Sequence, residues 1–334
     1  AMVPSELIKN KAYFTILKRY SHEKRSFSMN TYDKGPAFVV SIPPKWENVT
    51  AEALMRDIWQ APKKTVHQLR MDKAIILDGQ PLNWTTPLKK GDKLHFSLTE
   101  KEYGVIPAEM PLHILYEDAH MMIVNKPAGM NTHPNNPSLE KDTLANAVAW
   151  HLQQKGEKVD VQHIHRLDKD TTGAVVFAKH ALVKGILDRL LAERKIKRTY
   201  WAIVHGLITN KKGTITKAIG RDRHHNTRRR VSPSGQPATT HFQLLEQNKP
   251  KNLSLVQLVL DTGRTHQIRV HMSSIGHPLA GDTLYGGKPI VSRQALHAKY
   301  IEFDHPLTEE RLAFEAPFLD EPPLFSAFFK KEGE

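Results

Sequence analysis

The chain has 334 residues, 40% of them hydrophobic and 25% charged, which is long enough for two domains with ample core and unlike the composition of a disordered chain. Forty-eight Lys and Arg stand against 35 Asp and Glu, and the net charge of +13 points to a polyanionic partner, most simply nucleic acid. Cysteine is absent, which excludes disulfides, thiolate zinc sites and iron–sulfur clusters, and no apolar run approaches the roughly 20 residues that a membrane-spanning helix needs.

The first residues lack the basic-then-apolar layout of a secretory signal, and a cytoplasmic protein is expected. Residues 1–35 are polar and basic, with Lys18, Arg19, His22, Lys24 and Arg25 close together, and read as an N-terminal extension. From Phe38 to Leu98 the pattern becomes compact. Thr50 to Trp59 reads as a helix with Thr50 as N-cap and Leu54, Ile58 and Trp59 on one face. Ala74–Leu77 reads as a strand and Asp78-Gly79 as a hairpin turn, and Leu88 to Phe96 leads through a second turn into a last strand. Residues 99–111, with Gly104 and two prolines, read as a linker.

Leu112–Tyr116 and Met121–Val124 read as strands joined at Glu117-Asp118, followed by Asn125-Lys126-Pro127-Ala128-Gly129. Asp142 is expected to cap a helix from Thr143 to Gln154, whose Leu144, Val148, Ala149 and Leu152 form a core stripe. A charged knot, His163-Ile-His-Arg-Leu-Asp-Lys-Asp170, then runs through Thr171, Thr172 and Gly173 into the apolar strand Ala174–Ala178. Asp168 should therefore sit on a loop braced by a strand, where reactive groups concentrate. Most aspartates in turns only form the turn. Arg166, two residues away on an extended segment, would share its face and favour its ionised, nucleophilic form.

A second helix carries Leu182, Ile186, Leu187, Leu190 and Leu191, and Arg194 to Arg198 precede a strand over Thr199–Val204 that contains Tyr200. The stretch 221–230, with Arg228, Arg229 and Arg230, is too polar to be core and is expected as a surface loop that grips phosphates. Finally, Gly263-Arg264-Thr265-His266-Gln267-Ile268-Arg269 opens a helix for which Thr265 is the expected cap and which Gly276 and Pro278 end.

His165-Arg166-Leu167-Asp168 followed by Thr171-Thr172-Gly173 resembles the signature of the RluA-type pseudouridine synthases, which isomerise uridine in RNA, with Thr172 where the family usually has Ser. The resemblance continues through Asn125-Lys126-Pro127-Ala128-Gly129, the Gly-Arg-Thr-His-Gln-Ile-Arg motif, Gly281-Asp282, Leu284-Tyr285-Gly286 and beyond. It covers residues 112–318 closely and 38–98 loosely. Ile76–Pro81 and Leu88–Asp92 resemble the S-four-like RNA-binding domain, with Asp78 in place of Asn and no Ser-Arg pair before the strand. The resemblance implies an α+β fold: a catalytic domain over 112–328 with a largely antiparallel mixed sheet and flanking helices, preceded by a small RNA-binding domain over 36–98. It implies Asp168 as nucleophile, Tyr200 as the active-site aromatic and Arg269 as the nucleophile's basic partner, with Arg264 as the alternative. Arg166, Arg264, His165, Thr171 and the three arginines 228–230 are assigned to RNA. No cofactor or metal is implied. The expected partner of a monomeric enzyme is ribosomal RNA, with transfer RNA as the alternative.

Two other functions fit part of the pattern. A glycosidase using Asp168 and Asp170 would place its carboxylates at suitable spacing, yet would leave the basic charge unexplained. A non-enzymatic RNA-binding protein is the other alternative, since a sequence does not measure turnover. A kinase reading of His-Arg-Leu-Asp fails on the inserted leucine and the missing downstream Asp-Phe-Gly. A phosphate-loop reading of 281–288 fails on glycine spacing, and the histidine pairs 163/165 and 266/271 lack zinc-site spacing.

Overall fold

The computed structural model describes residues 37–98, 102–158 and 160–325, so the basic extension 1–35, the start of the linker and the chain end lie outside it. Its first strand, β1 (Ala37–Ser41), pairs antiparallel with β4 (Lys93–Ser97), which pairs with β2 (Ile75–Leu77), and β2 with β3 (Gln80–Pro81). Asp78 and Gly79 both have positive φ, as a two-residue hairpin requires. Thr50 caps α1 (Ala51–Ala53) through its hydroxyl, which accepts from Ala53 N at 3.1 Å. The helix then widens into a π turn over Leu54–Ile58, closed by Trp59 N donating to Leu54 O. That widening is not visible in a 3.6-residue pattern. A further helix, α2 (Lys63–Met71), also escapes the pattern because only Leu69 on it is buried.

The larger sheet has the order β10-β13-β14-β9-β15-β8-β6-β5, with β16 on β15 and β7 on β8. Its strands are β5 (His113–Glu117), β6 (Met121–Lys126), β7 (Gln162–His163), β8 (Thr172–Ala178), β9 (Lys197–His205), β10 (Lys212–Thr216), β13 (Thr239–Asn248), β14 (Leu253–Leu260), β15 (Leu296–Asp304) and β16 (Arg311–Glu315). Every pairing is antiparallel except β8 with β15, so the sheet is mixed and largely antiparallel, as expected. Between β10 and β13 a two-stranded hairpin stands apart, β11 (Ile219–Arg221) with β12 (Arg229–Val231).

β6 and β8 are buried throughout because both of their faces are covered. Met122, Val124, Val175 and Phe177 pack with Leu144, Val148 and Leu152 of α3 (Leu144–Gln154) and with Ile268 and Met272 of α5 (Gln267–Ser274). On the other face Met121, Ile123, Ala174 and Val176 join Leu182, Ile186 and Leu187 of α4 (Ala181–Ala192). The same cluster takes in Phe38, Trp59 and Phe96, so the two sheets share one core. Trp59 Nε1 donates to Leu307 O across that junction.

Two caps differ from expectation. α3 is capped by Thr143 in a capping box with Asn146, not by Asp142. α5 begins one residue later than expected, after His266, whose φ of 58° is left-handed and whose side chain makes no cap; Thr265 lies outside it. Where β8 runs beside β15, Gly173 has φ +115° and an added Cβ would meet Ala298 O at 2.3 Å, so no larger residue fits.

Burial also sets an acid limit. His120 and His163 are held down to about 4, and His165 and His297 to about 3, in each case first by burial. The unfolded chain binds these protons as pH falls through about 6.5, whereas the folded chain refuses them until about 4. Stability is therefore full above pH 6.5 and lost between 6.5 and 4. A shift of two units is worth about 3 kcal/mol for a buried group, and melting at pH 4.5 is expected more than about 10 °C below that at pH 7.5. Melting curves across pH that stay flat in this window would contradict it.

Candidate active site

Asp168 lies on the loop between β7 and β8, and each turn of that loop is held by a buried group. Leu167 N donates to Thr132 Oγ1 at 3.0 Å, and that hydroxyl donates back to Leu167 O at 3.1 Å. Thr171 N donates to Asp168 O, closing the turn. Lys126, at the end of β6 and fully buried, donates to the carbonyls of Lys169, Pro127 and Met130 at 2.7–2.8 Å. Burial pushes its ammonium down to about 7, with Asp170 and Asp168 pulling the other way. Arg293 reaches Asp170 O and Thr172 Oγ1 while Asp320 holds its fork from behind. The loop is thus a rigid mount, as a reactive carboxylate needs.

The carboxylate meets a cation from 101 residues away. Arg269 Nη1 donates to Asp168 Oδ2 at 3.2 Å. Its Nε and Nη2 donate to the two oxygens of Asp282 at 2.7 and 2.9 Å, so the guanidinium is aimed by one carboxylate at the other. Burial opposes the charge on Arg269, but the bonds and charge of Asp282, and then of Asp168, outweigh it and keep it protonated. Asp282 stands on a tight turn after β14 and α5, where a Cβ on Gly287 would lie 1.9 Å from Leu279 O. Tyr285, on the same turn, packs its ring 4.9 Å from the Arg269 guanidinium carbon.

Asp168 and Arg269 open onto a cleft of about 650 Å³, also lined by His165, Arg166, Thr171, Tyr200, Arg264 and His266. The Asp168 side chain is 20% exposed and that of Arg269 8%. Tyr200, on β9, is buried at the wall, and burial raises its hydroxyl. His165 is buried with neither ring nitrogen hydrogen-bonded among the described residues. Thr171 is buried and its hydroxyl accepts from Gln294. Arg264 makes no hydrogen bond or ion pair to Asp168 and donates through Nε to Pro237 O. Asp170 does not line the cleft, so the Asp168 and Asp170 pair that a glycosidase would use does not face it.

Arg166 differs from expectation. It is exposed on the cleft and makes no ion pair among the described residues; the cation at Asp168 is Arg269. The two-residue rule presumes a flat strand, and residues 164–171 form an irregular loop. The arginine-rich stretch 221–230 is not simply a loop, since its ends form the β11–β12 hairpin. Arg228 is tied to Asp222 at 2.7 Å, Arg229 is half-buried and Arg230 exposed. Lys126, Thr132, Asp282 and Arg293 were not singled out by sequence reasoning for any role. They touch the site only through the fold, and a lone buried polar residue carries no periodic signal.

Residues 120–274 match the family model described as RNA pseudouridylate synthase, and residues 38–94 match that of the RluD ribosomal pseudouridine synthase N-terminal domain. The chain is 47% identical over 287 residues to YhcT of Bacillus subtilis (strain 168), an uncharacterized RNA pseudouridine synthase, across 85% of this chain and 95% of that one. It is 37% identical over 268 residues to ribosomal large subunit pseudouridine synthase D of Vibrio vulnificus (strain CMCP6), across 75% and 81% of the two chains. The solved structure of human RNA pseudouridylate synthase domain containing 1 matches with a TM-score of 0.50 at 30% identity, covering 63% of this chain and 85% of that one.

Proposed function

The chain belongs to the RNA pseudouridylate synthase family, and on that premise we propose that it isomerises uridine in ribosomal RNA with Asp168 as the nucleophile. The observation that carries this reading is a carboxylate on a rigid loop, paired with a buried arginine, at a cleft of about 650 Å³ that a nucleotide can enter. A uridine in structured RNA must leave its stack before it is reached, at a cost of a few kcal/mol. Arg166, exposed at the cleft, is suited to fill the vacated space and hold phosphate. Tyr200 supplies a wall for the extruded base, a contact worth about 1–3 kcal/mol.

Asp168 attacks either ribose C1′, displacing uracil through N1, or C6 of the ring. By either route the C1′–N1 bond breaks, the base turns and a C1′–C5 bond forms; the bond to Asp168 breaks again, at C1′ as C5 attacks or at C6 by elimination, C5 loses its proton and N1 gains one. Atoms balance without an oxidant or reductant. Arg269 pairs with the carboxylate and aims it before attack. Residues 112–328 carry this chemistry in our reading, and residues 36–98, joined by the linker 99–111, are an RNA-binding domain. The ribosomal large subunit in the name of the Vibrio relative supports ribosomal over transfer RNA, and the site of action in this reading is the cytoplasm.

The C5 hydrogen is expelled in the reaction, so tritium release from C5-labelled uridine tests it. Ribosomal RNA from a strain lacking the gene is expected to release tritium and the parent strain's RNA not to; release confined to transfer RNA would overturn the substrate. The hairpin is tested by salt. Replacing Arg228, Arg229 and Arg230 by alanine is expected to flatten the log–log salt dependence of RNA binding by about 0.7–0.9 per lost phosphate contact. Arg229 and Arg230 should account for most of it, because Asp222 already neutralises Arg228. An unchanged slope in filter binding would show that the hairpin makes no phosphate contact.

A further inference from the structure

Four groups stand in line from the basic hairpin to the nucleophile, hydrogen-bonded as far as His266 and in closer than 4 Å contact at the last step. Arg229 N, on β12, donates to the Tyr285 hydroxyl at 2.8 Å. The same hydroxyl lies 2.8 Å from His266 Nδ1. His266 Nε2 lies 3.9 Å from Asp168 Oδ2, the oxygen that Arg269 also contacts. The Tyr285 ring meanwhile packs under Arg269 and edge-on to the His266 ring, their centroids 5.7 Å apart, and Ser273 Oγ donates to Tyr285 O to hold the turn.

The direction of the protons follows from the donors. The backbone N–H of Arg229 can only donate, so the Tyr285 oxygen accepts there and its own proton is free to point to His266 Nδ1, the arrangement taken here. His266 then carries its proton on Nε2, the nitrogen that faces the Asp168 carboxylate. Burial, which lowers the pKa of this imidazole, agrees with a neutral ring. His266 is also left-handed at φ 58° with no capping bond to repay the strain, a conformation that structures retain where a side chain must be aimed.

We propose that Tyr285 and His266 are positioning residues that couple the β11–β12 hairpin to Asp168, so that RNA phosphates seated on the hairpin orient the nucleophile. The inference rests on the proposed roles of Asp168 and the hairpin. Neither Tyr285 nor His266 exchanges a proton with substrate in this scheme. The hairpin holds Arg229 N, Arg229 N orders the phenol, the phenol sets the imidazole tautomer, and the imidazole N–H steadies one carboxylate oxygen.

The test uses the full chain and C5-tritiated RNA from the strain lacking the gene. Tyr285→Phe keeps the ring against Arg269 and removes only the hydroxyl. It is expected to lower the rate at saturating RNA roughly tenfold, the scale of one well-placed hydrogen bond, with half-saturation and melting temperature unchanged. His266→Gln, which presents a donor of similar reach, should retain more activity than His266→Ala. Arg229→Ala with Arg230→Ala should slow the saturated rate in the parent and add nothing in Tyr285→Phe, because the path is already cut. A parental rate in Tyr285→Phe, or effects that simply add, would overturn the coupling. Full turnover by Asp168→Asn would instead overturn the proposed function, so the two failures are separable.

Discussion

Asp168→Asn is expected to lower tritium release by at least about 10⁴-fold, the scale on which removal of a catalytic nucleophile acts, while RNA affinity stays within a few fold. The amide keeps the volume of the carboxylate and loses its charge and nucleophilicity. Arg269 retains both bonds to Asp282, so the guanidinium stays in place and the fold is not the cause of the loss. Affinity is spared because the charge removed is negative and the cations at the cleft and hairpin remain. Asp168→Glu restores the charge but moves it by one carbon–carbon bond, and a misplacement of that size costs about 10²-fold. Single-turnover tritium release and filter binding on the same preparations decide the matter. An asparagine variant turning over within tenfold of the parent would remove Asp168 from the reaction, whatever the cleft contains.

The second large effect is expected at Asp282, which no substrate need touch. Its side chain is 1% exposed and holds Arg269 by a two-point bond. Asp282→Ala leaves a buried guanidinium with only Asp168 as an anionic partner, and breaking such a pair on one side costs about 3–5 kcal/mol. A lowered melting temperature is therefore expected. Activity should fall further than instability explains, because the freed fork of Arg269 folds onto the Asp168 carboxylate and occupies the oxygens that must attack. The rate measured well below the melting temperature separates these two consequences. Arg269→Lys tests the same geometry from the other side, since an ammonium cannot bridge two carboxylates in a fixed plane. If Asp282→Ala melted with the parent and kept its rate, the aiming role would be wrong.

Local patterns carried much of the architecture. The apolar runs at β6, β8 and β9, the Asp78-Gly79 turn and the leucine stripes of α3 and α4 follow from periodicity and turn chemistry acting within a few residues, and they are present in the fold. Two helix starts differ from the local reading. Thr143 caps α3 because its box partner Asn146 is three residues on and buried, and His266 enters α5 left-handed with its ring facing Tyr285 and Asp168. By itself the sequence determined a basic, cysteine-free α+β protein, with Asp168 in a turn ahead of a buried strand. Spacing offered Arg166 as the cation beside that aspartate and the family motif offered Arg269 or Arg264; in the tertiary structure it is Arg269 that meets it. Arg166, two residues away, is exposed, whereas Arg269 arrives from α5 across 101 residues and is aimed by Asp282. Spacing along a chain sets only which side chains share a face; a charge pair in a cleft depends on how separate elements pack, and that is settled by the whole core.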